Sequence, residues 1–331
     1  MMLDLVSYGA FFLTTALTYG LICLGLNLQW GQTGLFNVGI AGFVAIGAYS
    51  SALLTTPDAP ERFGGLGLPI IFGWLAAAGI TGLAALLVGA LTLRLRADYL
   101  AITTFGVAVT IQLVMLNLEG LTGGPFGIAF IPRPFASLQG DALAFNVANF
   151  LLLAFVTLIV FLSLERLLRG PWGRVLRAIR EDETAAAAIG KSANLYRLQA
   201  FVLGSAIMGL AGAIQGHFIG FIAPDNYLSA LTFQVWAMLI VGGAGNNLGA
   251  VIGAVVVWGL WSGSSALTAA LVPTDQQARA ASLQIVVIGV LLAVILVVRP
   301  RGLLGERMTV SRFVQRAARI STPDGPNSMS L

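Results

Sequence analysis

Long apolar runs separated by short polar or glycine-rich breaks are the main pattern along this chain. Most of the runs are close to the roughly 20 residues that a membrane-spanning helix needs. Between Leu5 and Pro57 there is no acidic, basic or histidine residue, so at least two spans must lie there. Division at charged residues, glycine and proline predicts about nine spans (eight to ten), at approximately 5–28, 34–54, 68–93, 99–118, 147–165, 200–222, 229–243, 249–270 and 281–298. The range arises because 241–249 is either a turn between two helices or a break within one.

Composition supports the same class of protein. Of 331 residues, 57% are hydrophobic and 10% are charged, and the mean hydropathy is +0.89, whereas a soluble domain carries roughly 25% charged residues. The sequence therefore predicts an all-α polytopic membrane protein. The first apolar run has no preceding basic residue and no clear small-x-small cleavage site, so we expect it to be retained as a span. Cys23, the only cysteine, excludes an intramolecular disulfide.

Basic residues are concentrated on alternate connections between the predicted spans. Fifteen of the 18 Lys and Arg residues lie near 94–96, between 166 and 197, and from 299 onwards. Only Arg62, Arg133 and Arg279 lie on the opposite side. Because cytoplasmic connections retain Lys and Arg, this distribution predicts an external N-terminus and a cytoplasmic C-terminus.

The predicted spans contain no Lys or Arg, and their acidic residues lie only at span ends. Ion-coupled transporters usually need an ionisable group within the membrane, so we expect the driving energy to come from outside the bilayer. No catalytic constellation of Ser, His, Asp, Cys or paired carboxylates appears, which predicts that the chain is not an enzyme. Small and amide residues near the second span either pack helices or line a transport path at its inner end; the path candidates are Asn27, Gln32, Asn37, Gly39 and Gly42.

The connection 119–145 is predicted to be external and turn-rich. Its Gly123, Gly124 and Pro125 favour turns over helix. The loop is either a plain surface connection or a lid or docking surface for an external partner. His217, the sole histidine, has no nearby residues that complete a metal site, so we expect it to serve packing and hydrogen bonding.

A charged stretch, RAIREDETAAAAIGKS at 177–192, ends like a phosphate-binding loop. The position of the first glycine of such a loop is Ala185, and strong helix formers follow it, so nucleotide binding by this chain is not expected. Apolar residues at Trp172, Val175, Leu176 and Ile179 instead predict a short amphipathic helix. A second helical piece is predicted to end at Gly190. The connection 166–199 is therefore predicted to be a cytoplasmic helical elbow, which either lies on the membrane surface or binds a protein partner.

Six stretches, in this order along the chain, resemble the permeases of branched-chain amino-acid ABC importers, the LivH/LivM family, and specifically its LivM type. They begin with GLNLQWGQTGLFNVGIAGFVAIGAY and include RGPWGRVLRAIREDETAAAAIGKS; the ranges are 25–49, 98–114, 122–128, 169–227, 233–257 and 299–306. Each stretch alone is weak, but their order makes the combination specific. The resemblance covers nearly the whole chain up to about 307.

The resemblance implies a transmembrane permease domain at 1–306, followed by a basic cytoplasmic tail at 307–331 whose end we expect to be disordered. It implies a LivH-type sister permease, two cytoplasmic ABC ATPases that hold the ATP and Mg²⁺, an external solute-binding protein, and a bacterial inner membrane. No cofactor in this chain and no nucleic-acid partner is expected. The elbow would be the ATPase-coupling loop, with the candidate residues Trp172, Arg177, Arg180, Glu183, Ala185, Ala186 and Gly190.

Other functions remain open at this point. A urea or amide importer of the same family would share these features, because selectivity in such systems comes largely from the binding protein. A stand-alone channel or secondary carrier would use the elbow only as a surface helix. A polytopic membrane enzyme would need a catalytic constellation that the sequence does not offer.

Overall fold

A computed structural model describes residues 2–58, 63–95, 97–273 and 302–305, together with isolated positions between 276 and 298. The chain in these ranges is predominantly helical, and its α-helices are bounded as follows: α1 Met2–Leu26, α2 Ile40–Thr55, α3 Ile70–Thr92, α4 Ala97–Asn117, α5 Glu119–Thr122, α6 Ala142–Arg169, α7 Pro171–Glu181, α8 Glu183–Ala188, α9 Ala193–Ile219, α10 Ser229–Gly242 and α11 Asn247–Leu271. A π-helical turn, Asn27–Gly31, continues α1.

Six of these helices are long and apolar enough to cross a membrane: α1 with its π-helical turn, α3, α4, α6, α9 and α11. Two further apolar helices, α2 and α10, have only 16 and 14 residues. The exposed faces of α3 and α6 carry large apolar side chains such as Leu87 and Phe155, which is typical of contact with lipid. The fold is therefore that of an all-α polytopic membrane protein. The predicted ninth span at 281–298 and the tail at 307–331 lie outside the continuously described ranges.

Two details of the span prediction change. The predicted second span starts at 34, but α2 starts at Ile40 because residues 34–39 are not helical. The stretch 241–249 is a turn between two helices: α10 ends at Gly242, and the side chain of Asn246 accepts a hydrogen bond from Leu248 N (3.1 Å) to cap α11. It is not a break within one helix.

Helix α9 lies at the centre of the bundle and packs against α1, α2 and α3. Glycines make the close approaches possible. A Cβ on Gly25 would lie 2.5 Å from Gly204 O, and a Cβ on Gly47 would lie 2.1 Å from Gly209 O. Small residues at crossing points are the usual means of close helix packing in membranes.

Hydrogen bonds show which connections lie together at each of the two ends of the bundle. At one end the π-helical turn meets α7 and the α10–α11 turn, and Leu303 N donates to Val241 O (2.8 Å). At the other end Phe63 N donates to Gly120 O (2.7 Å) and the start of α1 meets the start of α6 through Ser7 Oγ and Ala142 O (3.2 Å). The elbow and the 119–145 loop therefore lie at opposite ends of the molecule.

Candidate functional site: the helical elbow and the buried amide network

The helices predicted between 171 and 190 are present as α7 and α8. The apolar face of α7 packs inward, with Leu176 and Ile179 fully buried and Trp172 half-buried. The indole Nε1 of Trp172 donates to Gln199 Oε1 on α9 (2.8 Å). Proline at the first position of α7 suits a helix start, since its missing N–H has no intrahelical partner there. The elbow is therefore held against the bundle by one face only.

The second helix of the elbow is short and capped at both ends. Asp182 accepts a hydrogen bond from Ala185 N (2.9 Å), and Gly190 ends the turn with a φ of +79°, a conformation that favours glycine. Glu183 forms a 2.7 Å ion pair with Arg197 at the start of α9. Ala186 is buried against Ile179. Residues Glu183–Ala188 are helical, whereas a phosphate-binding loop would need a glycine-rich loop at this position.

The outer surface of α8 is small and apolar. Ala185, Ala187 and Ala188 are exposed, and Ile189 is 71% exposed. An exposed isoleucine beside three alanines, in a connection with seven basic residues, presents an apolar patch with a polar rim.

Two arginines of α7 reach across to the end of α1. Arg177 Nη1 lies 3.4 Å from Gln32 Oε1 and 3.4 Å from Leu168 O. Arg180 donates to the carbonyl oxygen of Gly31. Gln32 and Gly31 lie at the end of the π-helical turn, where backbone carbonyl groups such as that of Gly31 lack intrahelical partners. The elbow is thus bonded directly to α1.

The π-helical turn is bonded in turn to the α10–α11 connection. Asn27 Nδ2 donates to Asn247 Oδ1 (2.8 Å), and Asn27 Oδ1 accepts from Gly245 N (2.7 Å). Gln32 Nε2 donates to Gly245 O (3.0 Å). Asn247 also donates to Glu165 Oε1 on α6 (3.1 Å). The free-energy cost of burying an amide is offset only by such hydrogen bonds. Here each hydrogen bond joins two elements of the fold.

A second set of amide contacts fixes the chain that follows the turn. Gln29, which is fully buried, donates to Phe201 O (2.9 Å) and Ser205 Oγ (3.0 Å) on α9. Its Oε1 accepts from Asn37 Nδ2 (2.8 Å). Trp236 Nε1 donates to Asn37 O (2.9 Å). Sequence reasoning missed Gln29, although an amide inside an otherwise apolar run is itself a signal for a buried hydrogen-bonded site.

The five path candidates are all buried, but in two groups. Asn27 and Gln32 belong to the contacts with the α10–α11 turn, and Asn37 joins α1 to α10. Gly39 and Gly42 pack against α4, where an added Cβ would lie 2.7 Å from Thr104 O and 2.9 Å from Ala108 Cα. Their amides and close approaches are used within the chain, and their role in a path stays a prediction.

The 119–145 loop is ordered by its own glycines and by contact with the end of α9. A Cβ on Gly123 would lie 2.0 Å from Gly127 O, and Gly124 has a φ of +56°. Ile128 and Ile222 exchange two backbone hydrogen bonds (2.8 and 3.0 Å). Pro125 and Phe126 are exposed beside them. The role of Gly123, Gly124 and Pro125 in a lid or docking surface stays a prediction.

His217 fastens this loop to two helices. Its Nδ1 lies 2.7 Å from Pro132 O, and its Nε2 lies 2.8 Å from Ser51 Oγ on α2. Because a carbonyl can only accept, Nδ1 donates and the neutral ring accepts from the serine hydroxyl through Nε2. The predicted packing and hydrogen-bonding role is confirmed. In the ranges that the structure describes, no three His, Cys, Asp or Glu residues gather as metal ligands would.

A bundle that contains six helices long and apolar enough to cross a membrane defines a polytopic membrane protein. The family described as branched-chain amino acid transport system / permease component matches residues 9–296. The chain belongs to this family.

Individual relatives support the assignment. The chain is 35% identical over 272 residues to the high-affinity branched-chain amino acid transport system permease protein LivM of Escherichia coli (strain K12), covering 74% of this chain and 60% of the relative. It is 29% identical over 266 residues to the probable LivM of Methanocaldococcus jannaschii, covering 71% and 75%. It is 25% identical over 307 residues to the LivH permease of Escherichia coli (strain K12), covering 88% and 93%. The matched part of the chain spans 60% of the length of the first of these relatives. No solved structure matches significantly.

Proposed function

We propose that the chain is the LivM-type permease subunit of a binding-protein-dependent ABC importer for branched-chain amino acids in a bacterial inner membrane. It would pair with a LivH-type sister permease, two cytoplasmic ATPases and an external solute-binding protein. ATP hydrolysis would take place on the ATPases and not on this chain. The observation that carries the proposal is the family match over residues 9–296, in a chain whose elbow is bonded to its transmembrane bundle.

The elbow has the properties that a coupling loop needs. Its exposed patch at Ala185 and Ile189 gives a partner an apolar contact, and its buried face attaches to the bundle. A rigid attachment converts a movement of the partner into a movement of the bonded helices. Trp172, Ala186, Glu183 and Gly190 shape the elbow, whereas Arg177 and Arg180 connect it to α1.

The proposed orientation has the elbow and the C-terminus in the cytoplasm and the N-terminus outside. The elbow carries most of the basic residues of the described connections, which supports a cytoplasmic location. The 119–145 loop, at the opposite end of the bundle, would then face the solute-binding protein. A total of nine spans is part of the proposal, with the last of them at 281–298.

Co-purification tests the complex. The chain, expressed with its sister permease and the two ATPases, is purified in mild detergent, and the ATPase recovered per permease is measured. Ile189→Asp places a charge on the exposed patch and should abolish recovery, whereas Glu119→Ala, at the opposite end of the bundle, should leave it unchanged. Uptake by vesicles that contain this chain but no ATPase would contradict the proposal. A complex that transports urea and not leucine would change the substrate assignment alone.

A further inference from the structure

Residues 34–39, between the π-helical turn and α2, form a segment without regular secondary structure. The segment turns at Phe36, where Asn37 N donates to Leu35 O (3.1 Å), and the exposure of its residues alternates along the chain. Leu35, Asn37 and Gly39 are buried, whereas Gly34, Phe36 and Val38 are half-buried. Gly34, Phe36 and Val38 therefore keep part of their surface uncovered. We call this uncovered side the outer face, and the covered side, with Leu35, Asn37 and Gly39, the inner face.

The inner face is fixed to several helices. Leu35 N donates to Gln29 O (3.0 Å), and Asn37 bonds Gln29 and Trp236. Val38 N donates to Thr104 Oγ1 on α4 (3.0 Å). These contacts hold the segment in one conformation.

The second half of the segment, at Asn37 and Val38, lies well inside the ends of its neighbouring helices. Thr104 is seven residues from the start of α4, and Trp236 is six residues from the end of α10. At 1.5 Å per residue, both contacts are about 10 Å from the helix ends that lie at the elbow side. The segment is thus non-helical backbone within the hydrocarbon depth of a bilayer about 30 Å thick.

Two backbone carbonyl groups of the segment lack partners among the described residues. Across the part of the chain that the structure describes, no hydrogen bond reaches the carbonyl oxygen of Phe36 or of Val38. Lipid cannot satisfy such groups, and non-helical backbone at this depth occurs only where protein or a water-filled cavity covers it. The outer face therefore does not face lipid.

The side chains of this face are apolar and one of them is held rigidly. The ring of Phe36 lies 5.3 Å from the ring of Trp30 and 4.8 Å from that of Trp236, between centroids. Val38 lies two residues further along the same face. Apolar side chains next to free carbonyl oxygens match a small solute that has an aliphatic group and an ammonium group.

We propose that the outer face of residues 34–39 is a wall of the solute path, where Phe36 and Val38 contact the aliphatic side chain of an amino acid and their carbonyl oxygens accept hydrogen bonds from its ammonium group. The proposal rests on the proposed function and names the part of the chain that meets the solute. It replaces the buried Asn37 and Gly39 with their half-buried neighbours as the residues that touch it.

Thiol labelling of the complete importer in proteoliposomes tests this wall. Cys23 is the only cysteine and is fully buried, so Cys23→Ala gives a background without thiols in this chain, and the partner subunits are made cysteine-free. Val38→Cys and the matched control Leu35→Cys, on the opposite face of the same segment, are treated with a charged methanethiosulfonate reagent with and without ATP and vanadate. We expect Val38→Cys to react at least about tenfold faster than Leu35→Cys in one of the two states, because thiol modification follows access to water. Leu87→Cys, on the lipid-facing surface of α3, should stay unreactive.

The outcomes separate this inference from the proposed function. If leucine delivered by the binding protein slows the labelling of Val38→Cys, the result supports both the solute wall and the proposed function. Labelling that leucine does not slow supports the wall and contradicts the proposed substrate. No labelling of Val38→Cys in either state, in a complex that still transports leucine, overturns the wall and leaves the proposed function standing.

Discussion

The contact between Gly47 and Gly209 is among the tightest helix contacts in the bundle core, because backbone meets backbone there. A Cβ on Gly47 would lie 2.1 Å from Gly209 O and 2.3 Å from Gly209 Cα. Neither atom can move without shifting a helix, so Gly47→Ala should lower the free energy of unfolding by about 1–3 kcal/mol or more. Thermal unfolding in detergent measures the change.

Gly79 provides the control for this substitution. It lies on the exposed surface of α3, and an added Cβ would meet nothing within 4 Å. Gly79→Ala should therefore raise stability by up to about 1 kcal/mol, since alanine favours helix over glycine. Equal destabilisation by the two substitutions would contradict the close α2–α9 contact.

His217 links the 119–145 loop to the bundle through both ring nitrogens. His217→Ala removes the donor to Pro132 O and the acceptor for Ser51, and unsatisfied buried groups of this kind cost about 1–3 kcal/mol each. We expect the loop to open more often and to be cut faster by protease. His217→Asn keeps a donor near Pro132 and should restore part of the protection. Cleavage of the alanine variant at the wild-type rate would show that the loop is held by Ile128 and its other contacts alone.

The two arginines of α7 connect the elbow to the chain just before and at the start of residues 34–39. Arg180 donates to Gly31 O, and its Cγ would lie 3.4 Å from a Cβ on Gly34, the first residue of the segment. Movement of α7 therefore reaches Gly34, at the start of the segment that forms the proposed solute wall, through a direct contact. In the complete importer, Arg177→Met and Arg180→Met should reduce the leucine transported per ATP hydrolysed, because each removes a contact between the elbow and the bundle. Coupling between two sites of a protein typically corresponds to a factor of about 5 to 150 in affinity.

Two comparisons make this prediction specific. Arg174, exposed on the same helix, serves as the matched control, and Arg174→Met should keep the wild-type transport ratio. Arg177 acts through Gln32, so the pair Arg177→Met and Gln32→Leu should lose no more than the stronger single variant. Additive losses, with ATPase recovery unchanged, would show that the two residues work independently.

The helices of the elbow were predictable because their signals are local. Apolar spacing at Trp172, Leu176 and Ile179 gave the inner face of α7, and Gly190 marked the end of the next helix. The start of α2 was not predictable in the same way. Residues 34–39 lie within a long uncharged run, and contacts with the π-helical turn, α4 and α10 hold them in a non-helical conformation.

At the scale of the whole molecule, composition indicated a polytopic membrane protein. The order of the charged residues indicated that the elbow and the 119–145 loop lie on opposite sides of it. The partners of the buried amides could not be read from it. Asn27 meets Asn247 and Gln29 meets Phe201 across more than 170 positions, and such pairs depend on how the helices assemble. The role of the five path candidates stays a prediction, and the half-buried Phe36 and Val38 next to them were not singled out from the sequence.

The opposite placement of the elbow and the 119–145 loop makes orientation testable with two single cysteines. Ala129 and Ala188 are both exposed, one in the loop and one at the end of α8, and Cys23→Ala provides the background. In intact spheroplasts a charged maleimide should label Ala129→Cys at once and Ala188→Cys only after permeabilisation, because the basic residues retain the elbow in the cytoplasm. The reverse pattern would invert the topology and remove the elbow from contact with cytoplasmic ATPases. In the assembled importer, the ATPase should then protect Ala188→Cys even after permeabilisation, whereas Ala129→Cys should be slowed only by the solute-binding protein.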